Sequence, residues 1–535
     1  MKGRKGKIVV LLGQSKYGSP FEILHPRNLK EARDILGHEN LCPDRGNLVS
    51  HYKLGNEVFP DTDFYLMKIN GTKSNGVLQF HSGVRLYIES TSAGEEFDCT
   101  VVSDSTGLEI TLSNGSTYYF EYDLYMTVGD LCSRSALCSR SANEFCPINI
   151  TTDTPFESID LLREDHDITI TGGSDGILAN SNNFYLNLQQ AYELLEGMHC
   201  DVIIPLGAYF NTPSELNTFD SGILYNVTFT TDPEEGVTLE VRGSGGSLIS
   251  PGNGDQGTLS DSIYGETMYS PDISPLTLVV PDTGEQAYFH HQLLEYLKIQ
   301  KEMGIVTHGI INLRPYTTPY SELNFFEQVS NEPILKERLG FFSYLEHGGS
   351  YDEGYSFSCC SQGIQRRDPG GNHWIETSVL YGGLWVSDPL SYTNGVIGDL
   401  DGDVVPRLNG VTLNKLSRIG ILGLSWDFSH RWSIPYGVTM AKQENSDWVN
   451  PDNFRAVQRT MIEIGSIVDQ LLGSSTGNRW IDNERIQNQL DSKLGILVKE
   501  GVLKYARTTV NLNTNTIEIA YRPRNLSKEL VARSS

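Results

Sequence analysis

The sequence predicts a multi-domain protein of mixed class, α/β with additional α+β parts, on three observations. Its 535 residues exceed what one hydrophobic core organises, which predicts two to four domains. Amphipathic helix patterns alternate with short, wholly apolar strand patterns, which is typical of an α/β layer with a partly parallel sheet. A run of short alternating strands, and a C-terminal region of two helices and a hairpin, indicate further domains.

The first elements indicate the N-terminal part of the core, residues 1–79. The continuous apolar run "IVVLL" ends at Gly13 and predicts a buried strand. "NLKEARDILG" predicts a short helix that Gly37 terminates. "DFYLMKING" predicts the next strand of the same layer.

Residues 80–165 predict an inserted, β-rich domain. Four short alternating segments are separated by Gly, Asn, Asp and Ser: "GVRLYIEST", "FDCTVVSD", "LEITLSN" and "STYYFEYD". Such strands with polar turns are typical of a small all-β module.

Residues 166–370 predict the main α/β domain. The helix pattern "NNFYLNLQQAYELLEGM" precedes the buried strand "CDVIIPLG", and "GEQAYFHHQLLEYLKIQKEMG" precedes "IVTHGIINLRP". Between these units, residues near 215–280 are rich in Gly, Ser and Asp, which predicts an insertion of hairpins and loops.

Residues 371–535 predict a mixed α+β domain. The segment "PDNFRAVQRTMIEIGSIVDQLLG" spaces its apolar residues by three and four, which predicts an amphipathic helix with Arg455 and Arg459 off the apolar face. A second helix follows near 482–500, and residues 501–523 predict a hairpin around "LNTNT".

Trp426 and Trp432 lie in "LSWDFSHRWSIPYG" and are predicted to be structural. Spaced by six, they share one face of a strand, because side chains alternate with period two. On that face they would bury against the helix that starts near Phe454. With His430 and Arg431 they could instead line a pocket, although such clusters are more often packed corners.

Composition excludes several classes of protein. The net charge of −26 argues against direct nucleic-acid binding, which needs Lys and Arg to replace counterions. No apolar run is long enough to insert into a membrane. The N-terminal "MKGRKGKIVVLLGQS" lacks the long apolar run and cleavage site of a signal peptide, so we expect folding in a cytoplasm.

A search for chemistry predicts no catalytic, cofactor-binding or metal-binding residues and therefore no enzyme. Neither a G-x-S-x-G elbow nor a phosphate loop occurs. "GDLDGDVVP" departs from a calcium loop at its sixth position, and "CSRSALCSRSANEFC" lacks the close cysteine pairs of zinc sites. A hydrolase that uses His347 or His373 is the enzymatic alternative, and it would need a serine and an aspartate nearby.

The ordered set of segments resembles contractile phage tail sheath proteins. "IVVLLGQSKYGSPFEILHPRNLKEARDILG" resembles the family's opening strand, turn and helix, and "VLYGGLWVSDPLSYTNGVIG" its Ala/Gly-rich helix. "LNKLSRIGILGLSWDFSHRWSIPYGVTMAKQENSDW" resembles a helix leading into two strands. "NPDNFRAVQRTMIEIGSIVDQLL" resembles the long C-terminal helix, and residues 481–523 the last helix and closing hairpin.

The resemblance implies a subtilisin-like α/β domain without a protease triad, an inserted β domain and a C-terminal domain that faces the tail tube. It implies a structural subunit of the virion tail, assembled in the host cytoplasm. The expected partners are the protein itself, in a helical tube, and the tail tube, baseplate and tail terminator proteins. Arg455 and Arg459 are the candidates for contact with the tube.

The terminal arms depart from the family pattern. Family members exchange strands between neighbouring subunits through such arms, whereas here only Met1–Lys7 precede the first strand and the C-terminal tail is brief. This leaves open a sheath-like ring or baseplate component. A host-surface adhesin is a further alternative, motivated by the β-rich segments.

Overall fold

A computed structural model describes residues 7–42, 45–135, 146–173, 183–208, 224–232, 236–242, 277–279, 289–314, 356–368, 371–387, 395–398, 400–426, 431–441, 447–473, 483–511, 516–524 and 530–534. The elements before residue 70 are β1 (Ile8–Gly13), β2 (Ile23–Leu24), α1 (Leu29–Leu36), α2 (Leu48–Val58) and β3 (Asp63–Lys68). The predicted strands and the helix that ends at Gly37 are present, and the Gly37 φ of 88° suits a glycine at a helix end. Helix α2 was not predicted.

The next segment contains β4 (Lys73–Gln79), β5 (Arg85–Ala93), β6 (Cys99–Ser103), β7 (Gly107–Leu112), β8 (Thr117–Glu121), α3 (Val128–Ser135), β9 (Ile148–Thr152) and β10 (His166–Ile170). They form two antiparallel sheets, β4–β5–β9 and β10–β6–β7–β8. One apolar cluster joins both sheets, because alternate residues of each strand point inward. This inserted β domain therefore spans 73–170, wider than the predicted 80–165, since β4 and β10 complete its sheets.

The central part contains α4 (Asn183–Leu195), β11 (Val202–Pro205), β12 (Leu224–Asp232), β13 (Gly236–Arg242), β14 (Thr277–Val279), α5 (Phe289–Glu302), β15 (His308–Asn312), β16 (Phe357–Cys360), β17 (Gly363–Asp368), β18 (Gly371–Glu376), α6 (Ser378–Ser387), β19 (Val396–Gly398), β20 (Asp403–Val405), α7 (Gly410–Arg418), β21 (Ile421–Leu422), β22 (Ser425–Trp426) and β23 (Trp432–Ser433). Strands β12, β13 and β14 form a separate three-stranded sheet within the predicted 215–280 insertion.

A seven-stranded sheet in the order β2–β3–β1–β11–β15–β16–β21 organises the core. All its neighbouring strands are parallel except β2 and β3. Helices cover both faces, so the sheet is buried on both sides, which explains the wholly apolar strands. Because β21 belongs to this sheet, the layer extends to residue 422, and the predicted domain boundary at 371 was wrong.

The two faces of the sheet have separate apolar cores. Val10 and Leu12 of β1 pack with residues of α4, α5 and α7, whereas Val9 and Leu11 pack with α1, α2 and α6. Helix α6 lies close to the sheet, since a Cβ added at Gly382 would come within 2.7 Å of Ile204 Cδ1 of β11. The α/β layer is therefore a three-layer unit with helices on both sides.

The C-terminal part contains α8 (Pro451–Gly473), α9 (Asn483–Lys499), β24 (Leu503–Asn511), β25 (Thr516–Pro523) and β26 (Leu530–Ser534). The three strands form an antiparallel sheet in the order β24–β25–β26. A fourth apolar cluster joins this sheet to both helices. The C-terminal tail, which was expected to be brief, thus adds a third strand to the predicted hairpin.

Candidate functional site

Helix α8, predicted to be amphipathic, is joined to the α/β layer through buried polar contacts. The Gln458 side chain accepts a hydrogen bond from Trp385 Nε1 at 3.0 Å. Its amide nitrogen donates to the carbonyl oxygens of Asp201 and Val306, at 2.6 and 2.8 Å. These carbonyls lie where β11 and β15 begin, so one side chain fixes the helix to the amino-terminal edge of the sheet.

The same junction encloses Arg455. This residue is only 5% exposed, and its guanidinium lies 5.7 Å from the centre of the Trp385 ring. It also pairs with Asp452 at 3.7 Å. A buried guanidinium cannot contact another protein, so the expectation that Arg455 faces a tube was wrong. The amphipathic pattern did not predict the burial of Arg455, because the layer also covers surface of α8 that lies outside its apolar stripe.

Arg459 lies one turn further along α8 and contacts α9. Its Nη2 donates to Glu500 Oε2 at 2.9 Å, and its side chain is 23% exposed. A second ion pair between the two helices joins Lys493 Nζ and Glu463 Oε2 at 2.7 Å. Polar residues off the apolar stripe of α8 thus connect it to α9, and Arg459 keeps part of its surface accessible.

Trp426 and Trp432 lie on two different strands. They are directly opposite each other in the β22–β23 pair, and their rings meet edge to face at 4.8 Å. Trp432 is 3% exposed and belongs to a core cluster that includes Phe454, as expected. Trp426 is 48% exposed, so its predicted burial was wrong. The pairing puts both rings on one face, but only Trp432 reaches the core.

The layer contains a serine–histidine pair without catalytic geometry. His308 Nε2 lies 3.0 Å from Ser358 Oγ, and that hydroxyl donates to the Val438 carbonyl. His308 Nδ1 has no hydrogen-bond partner within the described part of the chain, so no carboxylate orients the ring. Both residues are fully buried, and burial lowers the pKa of His308 well below its ordinary value.

A second buried polar cluster lies at the carboxyl ends of the parallel strands. Glu376 Oε1 accepts the Gly207 N–H at 2.6 Å, and the Glu376 N–H donates to His51 Nε2 at 2.9 Å. His51 Nδ1 lies 2.6 Å from the Asn47 carbonyl. Burial raises the pKa of Glu376 to about 7 and lowers that of His51 to about 4. These side chains are hydrogen-bonded to backbone groups, so the cluster holds loops together.

The residues proposed for the hydrolase alternative are not assembled into a triad. His373 is buried and its Nε2 lies 2.7 Å from Asn40 Oδ1. His347 lies outside the described residues. In the portion of the chain that the structure describes, no serine, histidine and carboxylate form a connected, accessible set.

The acidic turn "GDLDGDVVP" and the cysteine segment "CSRSALCSRSANEFC" were the other two candidates for metal binding. In the turn, Asp401 pairs with Arg366 at 2.9 Å and Asp403 with Arg407 at 3.2 Å. In the cysteine segment, burial raises the pKa of the Cys132 and Cys146 thiols to about 11. Cys138 lies outside the described residues, and no disulfide joins the cysteines that are described.

Sequence reasoning missed one cluster of metal-ligating side chains. His81, Glu164 and His166 converge at the surface of the inserted β domain. Glu164 and His166 have the i, i+2 spacing that can place them on one side of an extended segment. His81 is 83 residues earlier than Glu164, so only the pairing of distant strands brings it there.

Comparisons with known proteins give the fold. No protein-family model matches the sequence, and no curated protein matches it. The structure is similar to the crystal structure of a sheath tail protein from Listeria innocua, at 12% identity and a TM-score of 0.53. That match covers 100% of this chain and 95% of the other.

Two further structures are more distantly similar. A sheath tail protein from Desulfitobacterium hafniense has 11% identity and a TM-score of 0.47, with 100% and 98% of the two chains covered. The contracted helical sheath of the anti-feeding prophage has 13% identity and a TM-score of 0.29, with 48% and 64% covered. Within the described residues, no helix is both long and apolar enough to cross a bilayer. The match to the Listeria innocua protein shows that this chain has the mixed α/β fold of a tail sheath protein.

Proposed function

We propose that this protein is the structural subunit of a contractile tail sheath. The observation that carries the proposal is the extent of the fold match, 100% of this chain and 95% of the sheath tail protein from Listeria innocua. A match limited to the α/β layer would support only a shared scaffold. The buried pair of Ser358 and His308, which no carboxylate orients in the described part of the chain, does not favour the hydrolase alternative.

In this proposal, many copies polymerise helically around a tail tube. A heterologous contact that does not close on itself generates a helix. The sheath would contract between two discrete packings and drive the tube through the host envelope, with its energy stored at assembly. The subunit would belong to the virion tail, assemble in the host cytoplasm, and contact the baseplate and tail terminator proteins at the sheath ends.

The C-terminal sheet is the proposed link between subunits. β24 and β26 are its edge strands, and a sheet edge can accept an extended segment from a neighbour. β26 pairs with β25 from Tyr521 opposite Leu530 to Ile517 opposite Ser534. A strand of this length could pair with the equivalent sheet of a neighbouring copy instead. Helices α8 and α9 connect the sheet to the core, so the link would move with the subunit.

Electron microscopy of the purified chain, alone and with its tail tube protein, tests the proposal. We expect rings or tubes from the full chain. A chain truncated after Arg524 lacks β26 and should stay folded yet fail to form long tubes, with its thermal midpoint as the control for folding. A full chain that remains monomeric at high concentration, with and without particle components, contradicts the proposal.

Arg459 remains the proposed contact with the tube. Arg459→Glu should leave the chain folded, because its ion pair with Glu500 is partly solvent-exposed and such pairs contribute about 0–1 kcal/mol. It should reduce assembly around tubes, whereas Arg459→Lys should retain it. Normal tube-dependent assembly of Arg459→Glu would show that this face of α8 does not meet the tube.

A further inference from the structure

Three metal-ligating atoms meet at one corner of the inserted β domain. His81 follows β4, Glu164 precedes β10, and His166 is the first residue of β10. His81 Nδ1 and His166 Nε2 each lie 3.1 Å from Glu164 Oε2. The two ring nitrogens are also 3.1 Å apart. The three atoms therefore form a nearly equilateral triangle.

Hydrogen bonds alone cannot satisfy this triangle. Glu164 Oε2 also accepts the backbone N–H of His81 at 3.0 Å. With Glu164 ionised, a proton on both ring nitrogens leaves two donors facing each other. A proton on one ring nitrogen leaves the lone pair of the other ring nitrogen facing the carboxylate. If neither ring nitrogen carries a proton, three acceptors are in contact.

A cation above the centre of the triangle would contact all three ligand atoms at once. Zinc binds imidazole nitrogen and carboxylate oxygen at about 2.0–2.2 Å. A point about 1 Å above a triangle with 3.1 Å sides lies about 2.05 Å from each corner. The ligand atoms are therefore already spaced for a shared ion, with little movement required.

The surrounding contacts fix the ligands in place. The His166 ring packs edge to face on Phe80 at 5.3 Å. Ser82 Oγ donates to the Leu161 carbonyl at 3.1 Å, which joins the two segments that carry the ligands. Arg163, the basic residue next to Glu164, is directed elsewhere by its bonds to Asp123 and Asp160. The Arg163 guanidinium thus pairs with Asp123 and Asp160 and forms no ion pair with the Glu164 carboxylate.

The ligand set selects the class of metal. Two imidazoles and one carboxylate suit borderline ions such as Zn²⁺, whereas Ca²⁺ and Mg²⁺ prefer six or more oxygen ligands or several waters. The His81 side chain is 82% exposed, so the fourth position of a tetrahedral ion opens to solvent and can hold a water. The net charge of −26 favours cations near the surface.

We propose that His81, Glu164 and His166 form a surface site for one divalent transition-metal ion, with Zn²⁺ the preferred ion and water the fourth ligand. The site is independent of the proposed sheath function, because it is built entirely within the inserted β domain. It would fasten the turn after β4 to the start of β10.

Titration of the tag-free, reduced full chain with Zn²⁺ in a calorimeter tests the proposal. We expect binding of one equivalent and at least about tenfold weaker affinity in His81→Ala, which removes one of three ligands. The matched control is His38→Ala, because His38 is also exposed and lies beside a single carboxylate, that of Glu39, at 3.6 Å. This control should bind Zn²⁺ like the unchanged chain.

Glu164→Gln provides a second test, because its amide oxygen preserves shape and the bond from the His81 N–H but removes the charge. It should also weaken binding, with an unchanged thermal midpoint in the absence of metal. X-ray absorption of the zinc-loaded chain should show only nitrogen and oxygen neighbours, including two imidazoles. No binding, equal binding by His81→Ala, or a sulfur neighbour that places the ion on cysteines would each overturn the proposal.

Discussion

The α/β layer and the inserted β domain differ in where their polar side chains form contacts. In the layer, polar groups such as His51, Gln362 and Glu376 are buried and bonded mainly to backbone atoms of loops. In the insertion, Arg163 and His81 form their contacts at the surface. The difference follows from the sheets: helices cover both faces of the layer, whereas strands of the insertion alternate buried and exposed residues.

This contrast teaches where function can reside in each region. A buried polar group that satisfies loop backbone contributes to stability and specificity of the fold, and substrates cannot reach it. A surface cluster is accessible to ions and partners, and its removal costs little stability. Substitutions in the layer should therefore have the largest effects on folding, and changes to the insertion the smallest.

The largest expected effect is from Trp432→Ala, because this ring is buried in the apolar core on one face of the layer. Removing this buried ring should lower the free energy of unfolding by about 3–5 kcal/mol. Trp426→Ala, in the opposite position of the same hairpin, should lower it by about 1 kcal/mol or less because that ring is half exposed. Urea denaturation followed by circular dichroism measures both, and equal losses would contradict the separation into a core ring and a surface ring.

A smaller effect is expected from Glu376→Gln, and it depends on pH. Between its ordinary pKa of 4.5 and the raised value of about 7, folded Glu376 keeps a proton that the unfolded chain has lost. The free energy of unfolding therefore decreases as the pH rises through this window, by roughly 3 kcal/mol in total, and levels off above about 7. The glutamine side chain has no such proton to lose.

Denaturation of both proteins at pH 4.5 and pH 8 measures this effect. Relative to the unchanged chain, Glu376→Gln should be more stable at pH 8 than at pH 4.5 by about 2–3 kcal/mol. The neighbouring His51 titrates in the opposite sense, because burial lowers its pKa to about 4, but this contribution is common to both proteins and cancels. A pH-independent difference would show that Glu376 is not protonated in the folded layer.

The smallest effect on the layer is expected from removal of the insertion. Thr72 Oγ1 donates to the Gly172 carbonyl at 2.6 Å, so the two ends of the insertion are adjacent and a short glycine linker can replace residues 73–171. The layer loses few contacts, among them the bond from Ser19 to the Thr91 carbonyl and the edge-to-face pair of Tyr17 and Phe97.

We expect the shortened chain to remain soluble and its layer to lose about 1–2 kcal/mol of stability, since each lost hydrogen bond contributes about 1 kcal/mol. Thermal unfolding monitored by tryptophan fluorescence follows the part of the chain outside the insertion, because residues 73–171 contain no tryptophan. A shortened chain that aggregates on expression would show that the insertion completes the core.

Local pattern was enough to predict most elements of the fold. The apolar run of β1, the helix that ends at Gly37 and the short strands β5 to β8 were predicted, because their hydrophobic period or their turn residues are encoded within the segments themselves. The mixed α/β class was confirmed for the same reason. Strand β26 was missed because a segment of only five residues becomes a strand only when β25 provides its hydrogen bonds.

Local pattern was insufficient for the positions that depend on distant segments. Alternation predicted that both tryptophans share one face of a single strand, whereas they lie opposite each other on two paired strands. The burial of each ring depends on which parts of the layer pack against it. The amphipathic pattern of α8 correctly set Arg455 off its apolar stripe, yet Trp385, 70 residues earlier, covers it. Burial is a property of the neighbours that a segment acquires, so its own sequence does not contain it.

By itself the sequence determined the class of fold, the positions of most helices and strands, and the net charge of −26. Only the tertiary structure decided the limits of the layer and of the insertion, the burial of Arg455, the exposure of Trp426 and the meeting of His81 with Glu164 and His166. The first group depends on spacing over a few residues. The second depends on contacts between residues tens to hundreds of positions apart, which form only when sheets are assembled from non-consecutive strands.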